Sequence, residues 1–441
     1  MVRVNIDVSD KTGVIKPMHS VNNGPVGGKS SNVEAYRAAG IPYARTHDSS
    51  FNAGYGGEHT IDVHLIFTNF DADEYDEKSY DFTVTDNYIK EIMSVGTKVF
   101  YRLGSKIEHG IKKYGTVVPK DYHKWAVICE HIIRHYNYGW ADGFHYNIEY
   151  FEIWNEADLG AGNIKNPCWQ GTEEQFFEFF NVAANHLKSC FPELKIGGPA
   201  LAFWKHTDWV NGFFNRLTAP IDFFSWHMYS DDPSKVASRI RDIRAYLDAH
   251  GLAKAESILN EWNYVKAWTG ENWHYSLETE KNLKGSAYIS SVMLESQNAP
   301  LDHLMFYDAR PCSMNSMFNT DMPCKKLKGY YPFPMFNSLY CLKNAVSATS
   351  DDADVRVAAA NNENCSAIML SHFNDDESTA EKEVSVHVRG DHAGTKKASV
   401  YMLDDVNNCK LTKEEVFTSD EYTIVLNMPL YSTCLIKIEC E

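Results

Sequence analysis

A chain of 441 residues is too long for one ordinary core, so it needs several domains or one large barrel with an added module. Its formal charge of −17 repels phosphate backbones and argues against a nucleic-acid partner, and no apolar run is long enough to span a membrane. In chain order, short apolar runs predict eight barrel strands: 14–20, 42–47, 98–103, 150–155, 195–200, 223–229, 257–262 and 303–307. The segments between them have helical spacing. Apolar residues at Trp125, Ile128, Cys129, Ile132 and Ile133 mark one helix over 121–136. Thr172 and Gln175 have the spacing of a capping box at the head of another. Pro233 and Ser234 open a third that stops at Gly251, and 279–297 predicts one further helix.

Eight strand–helix alternations are the count of a (β/α)8 TIM barrel, an α/β fold. A doubly wound open sheet is the structural competitor, but it does not favour eight. After about residue 340 the pattern changes to polar–apolar alternation over 365–373, 383–389, 397–403 and 422–426. This predicts an appended C-terminal antiparallel β-sandwich. The expected organisation is a catalytic barrel over 14–335 and a β-sandwich over 336–441, joined by the N-terminal strand of 1–13.

Ten cysteines are scattered without a C-x-x-C pair and without zinc spacing, and read as free thiols of a reducing compartment. The opening MVRVNIDVSD has no apolar signal segment, so the expectation is a cytoplasmic protein. A secreted form stays open if a signal peptide has been removed. The stretch from Gly24 to Ser30 looks like a phosphate-binding loop but is one residue short of that motif.

Catalytic groups of such a barrel sit at the C-terminal ends of its strands. Here those ends are polar. They carry Arg45, His47 and Asp48 after the second strand, Asn155 and Glu156 after the fourth, and His227 and Tyr229 after the sixth. The seventh carries Asn260, Glu261 and Trp262, and the eighth Tyr307, Asp308 and Arg310. Glu156 and Glu261 each follow an Asn and close an apolar strand. A control is present in Asn362-Glu363, which sits in a polar turn with no strand before it. Two facing carboxyl groups are what glycosidic bond hydrolysis requires, one as acid and one as nucleophile or base.

FEIWNEADL and ILNEWN resemble the acid/base and nucleophile segments of clan A retaining glycoside hydrolases. YARTHD, YDFTVTDNYIKEIMSVGTKVFYRLG and GYYPFPMFNSLY make glycoside hydrolase family 39 the nearest resemblance, a family of β-xylosidases and α-L-iduronidases. The resemblance implies that Glu156 is the general acid/base and Glu261 the nucleophile. It implies that Asn155 bonds the hydroxyl beside the anomeric carbon, that His227 and Tyr229 are the His-x-Tyr of the sixth strand, and that Arg45 holds Glu261 ionised. Those roles are chemically consistent, since a nucleophile needs a cation and a donor beside it and an acid needs a raised pKa. A drier setting near Trp154 or Trp169 would supply the latter.

Blander assignments stand beside these. Arg45 could pair with Glu152, His47 could be a satisfied loop histidine, His227 could serve packing only, and Asp308 could pair with Arg310. Trp262, Trp169, Trp204 and Trp268 could be core rather than sugar platforms. The chain departs from the clan at Ala157, where Pro is usual, and at Asn260, where β-xylosidases often carry Thr.

The expectation is a retaining, exo-acting, β-xylosidase-like hydrolase of oligosaccharides that needs no cofactor and no metal. β-Galactosidase, β-glucosidase or α-L-arabinosidase specificity stays open, as does a homo-oligomer. Two rivals of other classes are a non-catalytic carbohydrate-binding barrel and a metal-dependent barrel enzyme.

Overall fold

The computed structural model describes residues 1–49, 59–161, 165–205, 207–312, 317–390 and 394–440. The chain begins with β1 (Val2–Val14), then alternates strands and helices: β2 (Ser20–Asn22), α1 (Val33–Ala39), β3 (Tyr43–Arg45), α2 (Val63–Ile66), α3 (Thr83–Ser94), β4 (Lys98–Leu103), α4 (Tyr122–Tyr138), β5 (Tyr150–Ile153), α5 (Glu173–Cys190), β6 (Lys195–Leu201), α6 (Thr207–Arg216), β7 (Phe223–His227), α7 (Pro233–Ala249), β8 (Glu256–Glu261), α8 (Glu271–Lys281), α9 (Leu283–Gln297) and β9 (His303–Phe306). After α10 (Pro332–Tyr340) come β10 (Asn344–Ser350), β11 (Val355–Asn361), β12 (Cys365–His372), β13 (Lys382–Arg389), β14 (Lys396–Leu403), β15 (Asn408–Phe417), β16 (Glu421–Met428) and β17 (Ser432–Cys440).

Strands β2 to β9 pair in parallel and in sequence order, and β2 closes on β9. This is the expected eight-stranded barrel. Its strands read as apolar runs because both faces are buried, one toward the barrel interior and one under the helices. Tyr43, Phe100, Tyr150, Phe223, Ile258 and Met305 pack together as one interior layer. A much larger core joins the outer strand faces to the helices.

Two elements differ from the sequence expectation. The first barrel strand is Ser20–Asn22 rather than 14–20. Val14 instead ends β1, and Pro17 sits in a turn closed by the Ser20 hydroxyl on the Pro17 carbonyl. The helix expected over 279–297 is two helices. Asn282 leaves the helical region at ψ −172°, and its side chain accepts from the Lys284 and Gly285 amides, which caps a fresh helix start. The capping box at Thr172 and Gln175 forms as its spacing predicts. Gly28–Ser30 is a short 3-10 turn before α1.

The C-terminal strands form one nine-stranded sheet, β15-β14-β17-β12-β11-β10-β1-β13-β16. All neighbours are antiparallel except β1 and β13. The expected sandwich is thus hydrogen-bonded as a single sheet whose buried faces share one core, including Val4, Ile6, Val386, Ile424, Val400 and Ile436. This module also touches the barrel's mouth loops. Asp375, after β12, accepts from Tyr264 Oη at 2.6 Å, Lys266 Nζ at 2.8 Å and Lys284 Nζ at 2.9 Å.

No helix is long and apolar enough to cross a membrane among the described residues. All ten cysteines are free thiols.

Candidate active site

The alternation of β5 turns Phe151 and Ile153 to one face and Glu152 to the other. Beyond Ile153 the backbone leaves the strand. Trp154 and Glu156 both lie in the left-handed region, at φ 72° and 50°. Strain of that kind costs about 1–3 kcal/mol per residue and persists only where the surroundings enforce it. The enforcing contacts are visible. The Trp154 amide donates to the Leu103 carbonyl and the Glu156 amide to the Ala200 carbonyl. The Trp154 indole donates to the Cys168 carbonyl. Gly104 must be glycine here, because a Cβ would come within 2.8 Å of the Trp154 Cα. The tip of β5 is therefore fixed between the ends of β4 and β6, with Glu156 aimed into the mouth.

Arg45 organises the opposite side. It is fully buried, and its guanidinium reaches four partners. Nε donates to Glu152 at 2.7 Å, Nη1 to Asn22 at 3.0 Å and to Glu261 at 2.8 Å, and Nη2 to Asn155 at 2.7 Å. Arg45 thus pairs with both Glu152 and Glu261. Burial alone would ease its proton loss, but the two carboxylates outweigh that and raise its pKa. Glu261 also accepts from Tyr229 Oη at 3.0 Å and meets His47 Nε2 at 3.2 Å. Tyr229 is held well above the usual phenol range, first by burial and then by the Glu261 charge, so it stays a donor.

Glu156 stands in different surroundings. Burial raises its carboxyl from 4.5 to about 7, against smaller opposing effects of His47 and Arg45. His227 Nδ1 lies 2.8 Å from Glu156 Oε1 and 3.5 Å from Glu261 Oε2. Burial lowers His227 from 6.5 to about 4, so it is neutral near pH 7. The two carboxyl groups approach closely. One oxygen of each, with a His227 nitrogen, lie within 4.8 Å of one another.

The site also contains two buried polar groups without a partner. Asn155 Nδ2 and His227 Nε2 are buried and have no hydrogen-bond partner among the described residues. Such groups cost free energy unless something pairs with them. Asn155 Nδ2 is the free end of an amide whose oxygen Arg45 already holds, so its direction is set before any ligand arrives.

Tyr307 and Asp308 lie where strand-end logic puts them. Tyr307 Oη donates to Asp48 Oδ2, and Asp308 accepts from Asn23 at 2.8 Å and from Arg310 at 2.7 Å. Trp262 is a correction. It has no exposure, and its ring packs on Phe306 and Tyr288 inside the core. Alternation past Glu261 turns it away from the mouth. Trp154 and Trp169 are also core, edge to face at 5.2 Å.

Several residues of the site carry no local signal in the sequence. Asn22 and Asn23 would show as a polar strand tip only if the first strand were extended two residues to Asn22. Asn260 is the exception: it shows as the polar residue before Glu261, and its Nδ2 donates to Glu152 and completes the Arg45 network. Lys106, 3.2 Å from Asp48, lies in a loop with no motif. Cys168 places its thiol 4.0 Å from Glu156 Oε2, which only tertiary structure reveals.

A family model described as glycosyl hydrolases family 39 matches residues 49–303, more than half of the chain. The chain belongs to glycosyl hydrolase family 39. Within the matched stretch fall Glu156, His227, Tyr229 and Glu261, so the family's core covers both carboxyl groups. A β-xylosidase of Caldicellulosiruptor saccharolyticus is 31% identical over 181 residues, which is 39% of this chain and 35% of that relative. The match thus spans about a third of that curated relative's length. The fold is that of a glucosidase from Croceicoccus marinus, at a TM-score of 0.82 and 18% identity over 100% of this chain and 99% of that one. A monomeric β-xylosidase from Caulobacter crescentus is similar at a TM-score of 0.74 and 15% identity, with 100% of both chains covered.

Three clusters of the described residues have the donor types of a metal site: Glu156, His227 and Glu261; His59, Asp62 and His64; Glu130, His186 and Cys190. In the first, the Arg45 guanidinium already supplies a positive charge 2.8 Å from Glu261.

Proposed function

We propose that this chain is a retaining glycoside hydrolase that removes a terminal β-xylosyl unit from short oligosaccharides. The observation that carries the proposal is the approach of Glu156 and Glu261 oxygens to within 4.8 Å. Retaining enzymes hold their carboxyl groups about 5–5.5 Å apart, whereas inverting ones leave about 6.5–9.5 Å for a water. Exo action is part of the proposal, with Asn155, His47 and Glu261 all buried at the base of the barrel mouth. The 31% identical β-xylosidase favours xylose.

In this proposal Glu156 enters the reaction protonated, which a pKa of about 7 permits. His227 occupies Oε1, so Oε2 is the oxygen that delivers the proton to the leaving group. Glu261 attacks the anomeric carbon and forms the glycosyl-enzyme. Arg45 and Tyr229 donate to it and His47 Nε2 lies 3.2 Å away, and together they aim its lone pairs. Asn155 Nδ2 donates to the sugar hydroxyl beside the anomeric carbon, a bond that tightens as charge develops. Glu156, now ionised, then takes a proton from water as that water attacks the same carbon and frees Glu261.

The test is a panel of aryl β-xylosides, β-glucosides, β-galactosides and α-L-arabinosides, with the first-formed anomer read by NMR. The expected result is highest kcat/KM on the β-xyloside and a β-anomer product. A first-formed α-anomer from that substrate removes the retaining mechanism. Turnover of none of the panel removes the hydrolase, and loss of turnover to a chelator in place of Glu261 dependence favours the metal-dependent barrel.

A further inference from the structure

We infer that Trp268 is a stacking platform for the second sugar ring of the substrate, the one that departs with the leaving group. The inference rests on the hydrolase proposed above and deepens it. Trp268 is 55% exposed, the only exposed tryptophan among the described residues. An exposed indole at a catalytic mouth carries a cost in water that a ligand ring would remove. Its location connects it to the chemistry. The ring lies 5.0 Å from Tyr229, edge to face, and Tyr229 donates to Glu261 at 3.0 Å. Trp273 stacks on it at 5.3 Å and 29°. The apolar surface therefore begins one ring beyond the nucleophile and runs outward.

The platform is rigid. It lies on the link between β8 and α8, and that link is tied down on both sides of Tyr264. The Ser230 amide donates to the Asn263 carbonyl and the Val265 amide to the Ser230 carbonyl. Asp375 of the C-terminal sheet holds Tyr264 and Lys266. A surface ordered in advance spends little conformational entropy when a ring settles on it. A pyranose is the occupant that fits: its ring C–H face is apolar and its hydroxyls point sideways to water, which matches an open indole face beside a polar pocket. With the exo action proposed above, the catalytic pair takes the terminal sugar and the ring beyond it belongs to the leaving group.

The experiment compares β-1,4-xylobiose with β-xylosyl fluoride, whose leaving group has no ring. If the aryl panel selects another sugar, its disaccharide and fluoride take their place. In Trp268→Ala the ratio of kcat/KM for disaccharide over fluoride should fall about tenfold, and Trp268→Phe should recover a good part of it. An unchanged ratio in Trp268→Ala, with the wild type active on the fluoride, overturns the platform and leaves the hydrolase intact. A wild type inactive on the fluoride removes both. A dimer that dissociates in Trp268→Ala while the ratio stays fixed would show that a second copy of the chain, not a sugar, covers this indole, and would also overturn the inference.

Discussion

Arg45 Nη1 donates to Glu261 at 2.8 Å from a side chain with no solvent exposure, and the same guanidinium holds Glu152 at 2.7 Å. Removing one partner of a buried ion pair costs about 3–5 kcal/mol, because the other charge is left unpaired. Arg45→Met strands two carboxylates and should lose about that much in denaturant unfolding. Arg45→Lys restores a charge but not the four-way fork, so stability should partly return while kcat stays at least about 100-fold down. Recovery of activity by Lys would show that charge alone, without the fork, is what Glu261 needs.

Glu261→Gly should abolish turnover by a factor on the order of 10⁴. Azide should then restore reaction on an aryl xyloside by entering the space of the missing carboxylate, and the product should be the α-glycosyl azide. A β-azide, or rescue in Glu156→Gly with inversion instead, would exchange the two roles.

Burial holds Glu156 up at about 7, and the neighbouring Asp158 likewise, by burial first and by Glu156 in part. Activity should therefore fall as pH rises through about 7, when the acid loses its proton. Stability should fall over the same rise. A carboxyl whose pKa is raised on folding favours the fold fully below its unfolded value, near 4, and loses that contribution on passing the folded value, near 7. Glu156→Gln removes one of the two groups. It should leave unfolding at pH 4 nearly unchanged and stabilise the chain at pH 8 by up to about 3 kcal/mol, since a pKa raised by one corresponds to about 1.4 kcal/mol. A Gln variant less stable than wild type at pH 8 would show that Glu156 is not strained in its charged form.

Asp375→Ala should loosen the tie between the C-terminal sheet and the barrel mouth. Lys284, almost fully buried, would lose its 2.9 Å carboxylate partner and keep Tyr275, the residue 375 carbonyl, Glu377 at 3.4 Å and the Tyr431 ring. The expected loss is about 2–3 kcal/mol in unfolding. KM should rise for the disaccharide more than for the fluoride, because Tyr264 and Lys266 anchor the Trp268 link. A change in stability with no change in KM would make the tie structural only.

Strand count and strand ends made the barrel legible, since a parallel barrel needs apolar runs buried on both faces and polar tips at one end. Glu156 and Glu261 stood out for that reason. Val21 did not, because a three-residue strand has no periodicity to detect. Asn282 was hidden inside an apolar helical pattern, where a cap signal loses to spacing. Trp262 was misjudged because adjacency to Glu261 in sequence means the opposite face in a strand. The fork of Arg45 depends on Asn22, Glu152, Asn155 and Glu261 converging from separate strand ends, and no local pattern encodes a convergence.

Strand β1 inserts between β10 and β13, pairing Asp7 with both Ser347 and Arg389. β1 thus pairs with strands that follow it by more than three hundred residues along the chain. Val2, Val4, Ile6 and Val8 are all buried in the finished sheet, and the strands they pair with lie beyond the whole barrel in the chain. The barrel can close without them, but the sheet cannot. β1 therefore stays an unpaired edge until β10 and β13 have been made, and an unpaired apolar edge is a template for aggregation.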